Sequence, residues 1–196
     1  MNNTDQYTQE SLTHYLEAIN EKLKNRPDAA INFSANNHSV AVRIVGNQQF
    51  ELVNTNNLDE RNQRFTASEL AKKLDNAFSN NSWTNWFTGK KPLVMNTAIF
   101  TNSNASIDLS ALVGQGALTA LGTGKNGATL LYEAIKSNDL AALKRIDFSQ
   151  IDINQPDHLG GNALMLAIHL SDNNIIEYLL EQPKLDLNQL QKIYCI

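Results

Sequence analysis

Apolar residues along this chain follow two rhythms, one of period two and one close to 3.6. From His38 to Ile44 the even positions His38, Val40, Val42 and Ile44 share one face of an extended strand, while Ser39, Ala41 and Arg43 take the other; Phe50, Leu52 and Asn54 repeat the alternation. Val45-Gly46-Asn47 between the runs suits a three-residue loop, so they read as an antiparallel hairpin. That loop sets Val42 against Phe50, Val40 against Leu52 and His38 against Asn54, with Cβ atoms roughly 5 Å apart. A slip of two residues brings Asn56 opposite His38 instead. A bare Gly46-Asn47 turn would set Val42 against Glu51 and waste the apolar face.

The helical rhythm appears first in Leu12, Tyr15, Leu16, Ile19 and Leu23, a single stripe that stops before Asn25-Arg26-Pro27. His14 sits beside the stripe with no second ligand at helical spacing, which makes it a surface residue. Phe65-Thr66-Ala67-Ser68-Glu69-Leu70 carries a capping box, Thr66 with Glu69, and a hydrophobic staple, Phe65 with Leu70. Leu70, Leu74, Ala77 and Phe78 then face inward up to Asn80-Asn81. Trp83, Trp86 and Phe87 read as core aromatics, and Leu93 to Phe100 as a strand that completes the sheet begun by the hairpin. Thr101 to Lys125 marks a boundary, where Leu109, Leu112, Val113 and Leu118 give a glycine-interrupted helix an apolar side fit to cap the helical units behind it. No GxxxxGK[ST] pattern accompanies its glycines, so nucleotide binding is not indicated.

From Gly127 the chain repeats itself. GATLLYEAI at Gly127–Ile135 aligns with GGNALMLAI at Gly160–Ile168, and Leu143 and Ile146 return as Ile176 and Leu179. IDIN ending at Asn154 and LDLN ending at Asn188 close the two units, the second one residue longer. With a period of roughly 33 residues, the pattern resembles two ankyrin repeats, each a pair of antiparallel helices followed by an extended hairpin arm. The family's TPLH stands as Thr129-Leu130-Leu131-Tyr132 in one unit and Asn162-Ala163-Leu164-Met165 in the other. Loss of the helix-opening Pro predicts less regular caps.

Composition narrows the function classes. At 196 residues and 42% hydrophobic content the chain can hold two small domains with real cores. A net charge of -4 with scattered Lys and Arg lacks the basic footprint of a nucleic-acid binder. One cysteine makes no internal disulfide. The polar start MNNTDQ has no apolar segment of a Sec signal peptide, and no run approaches a membrane span, so a soluble protein is expected.

The His38 and Asn54 pair resembles the second half of a papain-like cysteine peptidase domain, particularly effector-type members secreted by bacteria, over residues 8 to 100. There a His begins one strand and an Asn or Asp ends the next. The resemblance implies His38 as general base and Asn54, or Asn56, as the group that orients its ring. The nucleophilic Cys expected before the His at a helix N-terminus is absent, and Cys195 lies beyond the repeats. Chemistry is therefore implied only with a thiol from outside this chain, and peptide cleavage, acyl transfer and deamidation stay open.

The expected fold is α+β: a small papain-like antiparallel sheet with helices over residues 1–105, whole or partial, a connector and cap helix over 106–125, and an all-α pair of ankyrin repeats over 126–196. The ankyrin resemblance implies a protein partner held on a concave surface, with Lys125, Asn126, Tyr132, Asp157, His158 and His169 as contacts. Two functions are then open. One is a secreted bacterial effector whose repeats hold a host protein in the host cytoplasm or nucleus. The other is a non-catalytic scaffold in which the α/β part supports the repeats. Neither calls for a metal or cofactor, and oligomeric state is not legible.

Overall fold

The structure is a computed structural model that describes residues 2–35, 38–46, 48–52, 63–78, 91–102, 112, 124, 128–156 and 160–188. Strands β1 (Asn2–Tyr7), β2 (Ala30–Ala35), β3 (His38–Val45), β4 (Gln49–Leu52), β5 (Arg64–Phe65) and β6 (Leu93–Phe100) form one sheet in the spatial order β1-β6-β2-β3-β4-β5. Every pairing in it is antiparallel. Helices α1 (Gln9–Leu23) and α2 (Ala67–Phe78) lie side by side on one face. Leu12, Leu16, Ile19 and Leu23 from α1 and Leu70 and Leu74 from α2 there meet Ile31, Phe33, Val42 and Phe50 of the sheet, all fully buried. The capping box of α2 forms as its sequence predicts: the Thr66 amide donates to Glu69 Oε2 at 2.8 Å and the Glu69 amide to Thr66 Oγ1 at 3.3 Å. The Asn80-Asn81 stop and the aromatics Trp83, Trp86 and Phe87 lie outside the described residues.

The hairpin exists, but its register is two residues from the one expected. Val42 pairs with Leu52, Arg43 with Glu51, Ile44 with Phe50 and Val45 with Gln49. Gln48, just before β4, takes a positive φ of 57°. Both faces favour this choice. It gives Ile44 an aromatic partner on the helix-covered side, and it sets Arg43 against Glu51 on the other, where their side chains pair at 2.7 Å.

Strands β1 and β2 were not expected. Ala35 of β2 pairs with His38 of β3, and β6, which belongs to the hairpin's sheet as expected, runs between β1 and β2. β6 is covered on both sides: Leu93 and Met95 face α1 and α2, whereas Val94 belongs to a second core built from helices.

That second core is formed by α3 (Leu130–Lys136), α4 (Leu140–Arg145), α5 (Ala163–His169) and α6 (Asn173–Leu180). Each helix of the second pair begins one full period after its counterpart, as do the caps. Thr129 and Asn162 cap α3 and α5, Asp139 and Asp172 cap α4 and α6, and each accepts from the third residue on. Asn138 and Ser171 both adopt positive φ, 53° and 57°, in the tight connections between paired helices. The caps are therefore regular, correcting the expectation drawn from the lost Pro, because Thr and Asn side chains cap a helix without it. The closing arms also differ from expectation. Asp147–Gln155 runs as consecutive turns rather than as extended strands, with the Asp147 and Asp152 carboxylates accepting from the amides of Ser149 and Asn154 at 2.9 Å.

Helices α3 and α4 pack directly against β1 and β6, on the face opposite α1 and α2. Most of the proposed cap helix lies outside the described residues; its Leu112 packs against the sheet core, not the helical one.

Candidate functional site

His38 opens β3 and is half-buried on the face covered by α2. Its ring meets that of Phe78 edge-on, with centroids 5.5 Å apart and planes at 69°. The sheet thus places an imidazole at a strand end beside the last turn of α2. Asn54, Asn56 and Cys195 lie outside the described residues, so His38 is the one member of the expected catalytic set with a described position. Among the described residues no three His, Cys, Asp or Glu side chains converge as metal ligands.

The helix pairs present a second candidate. Thr129, Leu130, Tyr132, Gln150, Ile151, Asp152 and Gln155 line a small groove between the start of α3 and the turns that close the first pair. Tyr132 was expected as a partner contact, but it is buried, and its hydroxyl lies 2.7 Å from the carbonyl of Gln155 and 2.9 Å from that of Gly161. Its oxygen serves to tie Gln155 and Gly161 to the start of α3. His169 is exposed at the end of α5. Lys125, Asn126, Asp157 and His158 lie outside the described residues. Near the groove, hydrogen bonds from the hydroxyl and then the amide of Ser149 hold the Asp147 carboxyl below its ordinary range, so this turn carries a fixed negative charge.

Two features escape a reading of the sequence. Asn154, the last residue of IDIN, donates through Nδ2 to the Lys184 carbonyl at 2.7 Å and accepts through Oδ1 from the Asp186 amide at 2.8 Å, joining the closing turns of the two pairs. The repetition of Asn at the end of IDIN and LDLN is the available signal. The second feature joins the sheet to the helices. Asp139 caps α4 with Oδ1 and with Oδ2 accepts from the Thr4 amide of β1 at 2.6 Å; Arg145 pairs with Asp5 at 3.1 Å, and Asn2 donates to the Ser137 carbonyl. These contacts use the open edge of β1, whose free amides would otherwise invite another strand.

Over 82 residues, 42% of its length, the chain is 32% identical to a protein of Rickettsia bellii (strain RML369-C) that carries the name ankyrin repeat protein. The matched region is 39% of that protein, so the chain spans about two fifths of the length of the curated relative it matches. No family model matches the chain, and no solved structure matches it significantly. Among the described residues no helix is long and apolar enough to cross a membrane.

Proposed function

We propose that the chain is a protein-binding module: ankyrin-type helix pairs, anchored on an antiparallel sheet, hold a protein partner along the groove at the start of α3 and the neighbouring end of α5. The observation that carries this is the regular recurrence of helices, caps and positive-φ connections, joined to the likeness to an ankyrin repeat protein. A stack of this kind presents tips and inner helices as one continuous surface. Lys125, Asn126, Asp157, His158 and His169 would supply its polar contacts, with Gln150 and Asp152 added from the groove. The bacterial origin of the relative supports a finer version, in which the protein is a secreted effector and its partner a host protein.

Affinity capture with the chain as bait tests the surface. The expected result is a protein retained by the native chain and weakened at least about tenfold by His169→Glu combined with Gln150→Lys, with helix content unchanged. Equal retention by both baits would overturn this placement of the surface.

A papain-type role for His38 is the second reading, favoured by the half-buried place of its imidazole at a strand end beside Phe78. It requires a thiol from outside the chain. In a parent that carries one, His38→Ala should abolish turnover with the fold intact, and unchanged turnover would remove His38 from the mechanism.

A further inference from the structure

Comparing equivalent positions of the two helix pairs separates two kinds of burial. Ala134 and Ala167 are both fully covered, as are Leu130 and Ala163. Ile135 is only 1% exposed, yet Ile168, its counterpart in the second pair, is 55% exposed; Ile153 is 1% exposed, yet Leu187, its counterpart in LDLN, is 67% exposed. Ile135 and Ile153 share one core with Ala163, Ala167, Ile175 and Leu179 of the second pair, whose α5 packs against α3. The second pair keeps apolar residues at the same positions, with no third pair over them among the described residues.

The polar groups show the same asymmetry independently. Asn154 and Asn188 close identical turns, each amide lying 2.9 Å from the carboxylate two residues before it. The Asn154 carboxamide then grips the backbone of the next closing turn, at Lys184 and Asp186. The Asn188 carboxamide is exposed and has no such partner among the described residues.

We propose that this end of the stack is an interaction surface for a third helix pair built on the same repeat pattern, which buries Ile168 and Leu187 while Asn188 holds its closing turn. The surface continues the α3–α5 interface by one step. A second copy of this chain cannot supply the occupant in that orientation, because the matching side of its first pair already rests on β1 and β6 and that of its second pair on the first. The proposal rests on the same helix-stack reading as the proposed function but uses a different face.

The test lengthens the chain by inserting a copy of residues 155–188 after Asn188, in a Cys195→Ser background with Ile168→Cys in the original segment alone. The thiol at position 168 should label at least about tenfold more slowly in the lengthened chain than in the parent of normal length. Adding Asn188→Ala to the lengthened chain should return part of that rate. Equal labelling rates in the two chains, whether or not the added residues are helical, would overturn the proposal. So would slow labelling in the parent that speeds up on dilution, since a second copy would then be the occupant. An Asn188→Ala variant as protected as the lengthened chain itself would remove the role given to that side chain. Partner capture plays no part in this measurement, so its failure and that of the proposed function are separable.

Discussion

Single residues set the local geometry of the helix stack, and the connections inside each pair show how. Asn138 and Ser171 occupy the same left-handed position in successive pairs, with φ of 53° and 57°. An L side chain there meets its own carbonyl, a strain that asparagine relieves by local hydrogen bonding and serine relieves less. Ser171→Gly should therefore stabilise the protein by about 1 kcal/mol, and Asn138→Gly by markedly less. Urea unfolding of the two variants checks this, and a larger gain at position 138 would show that backbone strain does not set the order. The sequence does not reveal these positions, because neither carries the glycine that normally marks them.

At the scale of elements, legibility follows the hydrophobic pattern. α1, α2, β3, β4 and β6 announce themselves by stripes, caps and alternation. β1 does not: Asn3, Thr4 and Asp5 are buried polar residues, satisfied by groups distant in sequence, such as the Tyr15 hydroxyl and Asp139. No periodicity of apolar residues can disclose a strand stabilised in that way. β2 does alternate, Ile31, Phe33 and Ala35 against Asn32 and Ser34, and is legible by the same pattern. The hairpin register departs from expectation because the choice turns on Ile44 and on the Arg43–Glu51 pair, not on the loop alone. Where a cap is legible its consequence is also testable. Hydrogen bonds from the amide and then the hydroxyl of Thr66 hold the Glu69 carboxyl below its ordinary 4.5. A depressed carboxylate contributes stability above its unfolded pKa and loses it as pH falls through the folded one. Acid unfolding should thus be less steep in Glu69→Gln than in the native chain across the carboxylate range. Parallel curves followed by far-ultraviolet circular dichroism would show that the charge on this side chain contributes nothing measurable to the box.

For the whole molecule the decisive feature is that one strand serves two cores and one carboxylate joins them. β6 sends Leu93 and Met95 to one side and Val94 to the other, so the sheet closes the helix stack as a first repeat would otherwise have to. This explains how two helix pairs, a short stack by themselves, can be stable here, and it predicts a single cooperative transition rather than separate melting of sheet and helices. Asp139 and Asp172 allow the junction to be weighed, since they are the same cap in the two pairs. Asp172 accepts only the Ile175 amide at 3.1 Å among the described residues, whereas Asp139 also accepts the buried Thr4 amide of β1. Asp172→Ala should cost about 1 kcal/mol, the ordinary loss of a cap. Asp139→Ala should cost about 2–3 kcal/mol, because it also leaves an edge-strand amide buried without an acceptor. Equilibrium unfolding in urea, followed by circular dichroism, measures both variants. Equal losses would mean that the bond to β1 carries no net energy. A two-step transition in Asp139→Ala alone would instead show that this carboxylate is what makes sheet and stack unfold together.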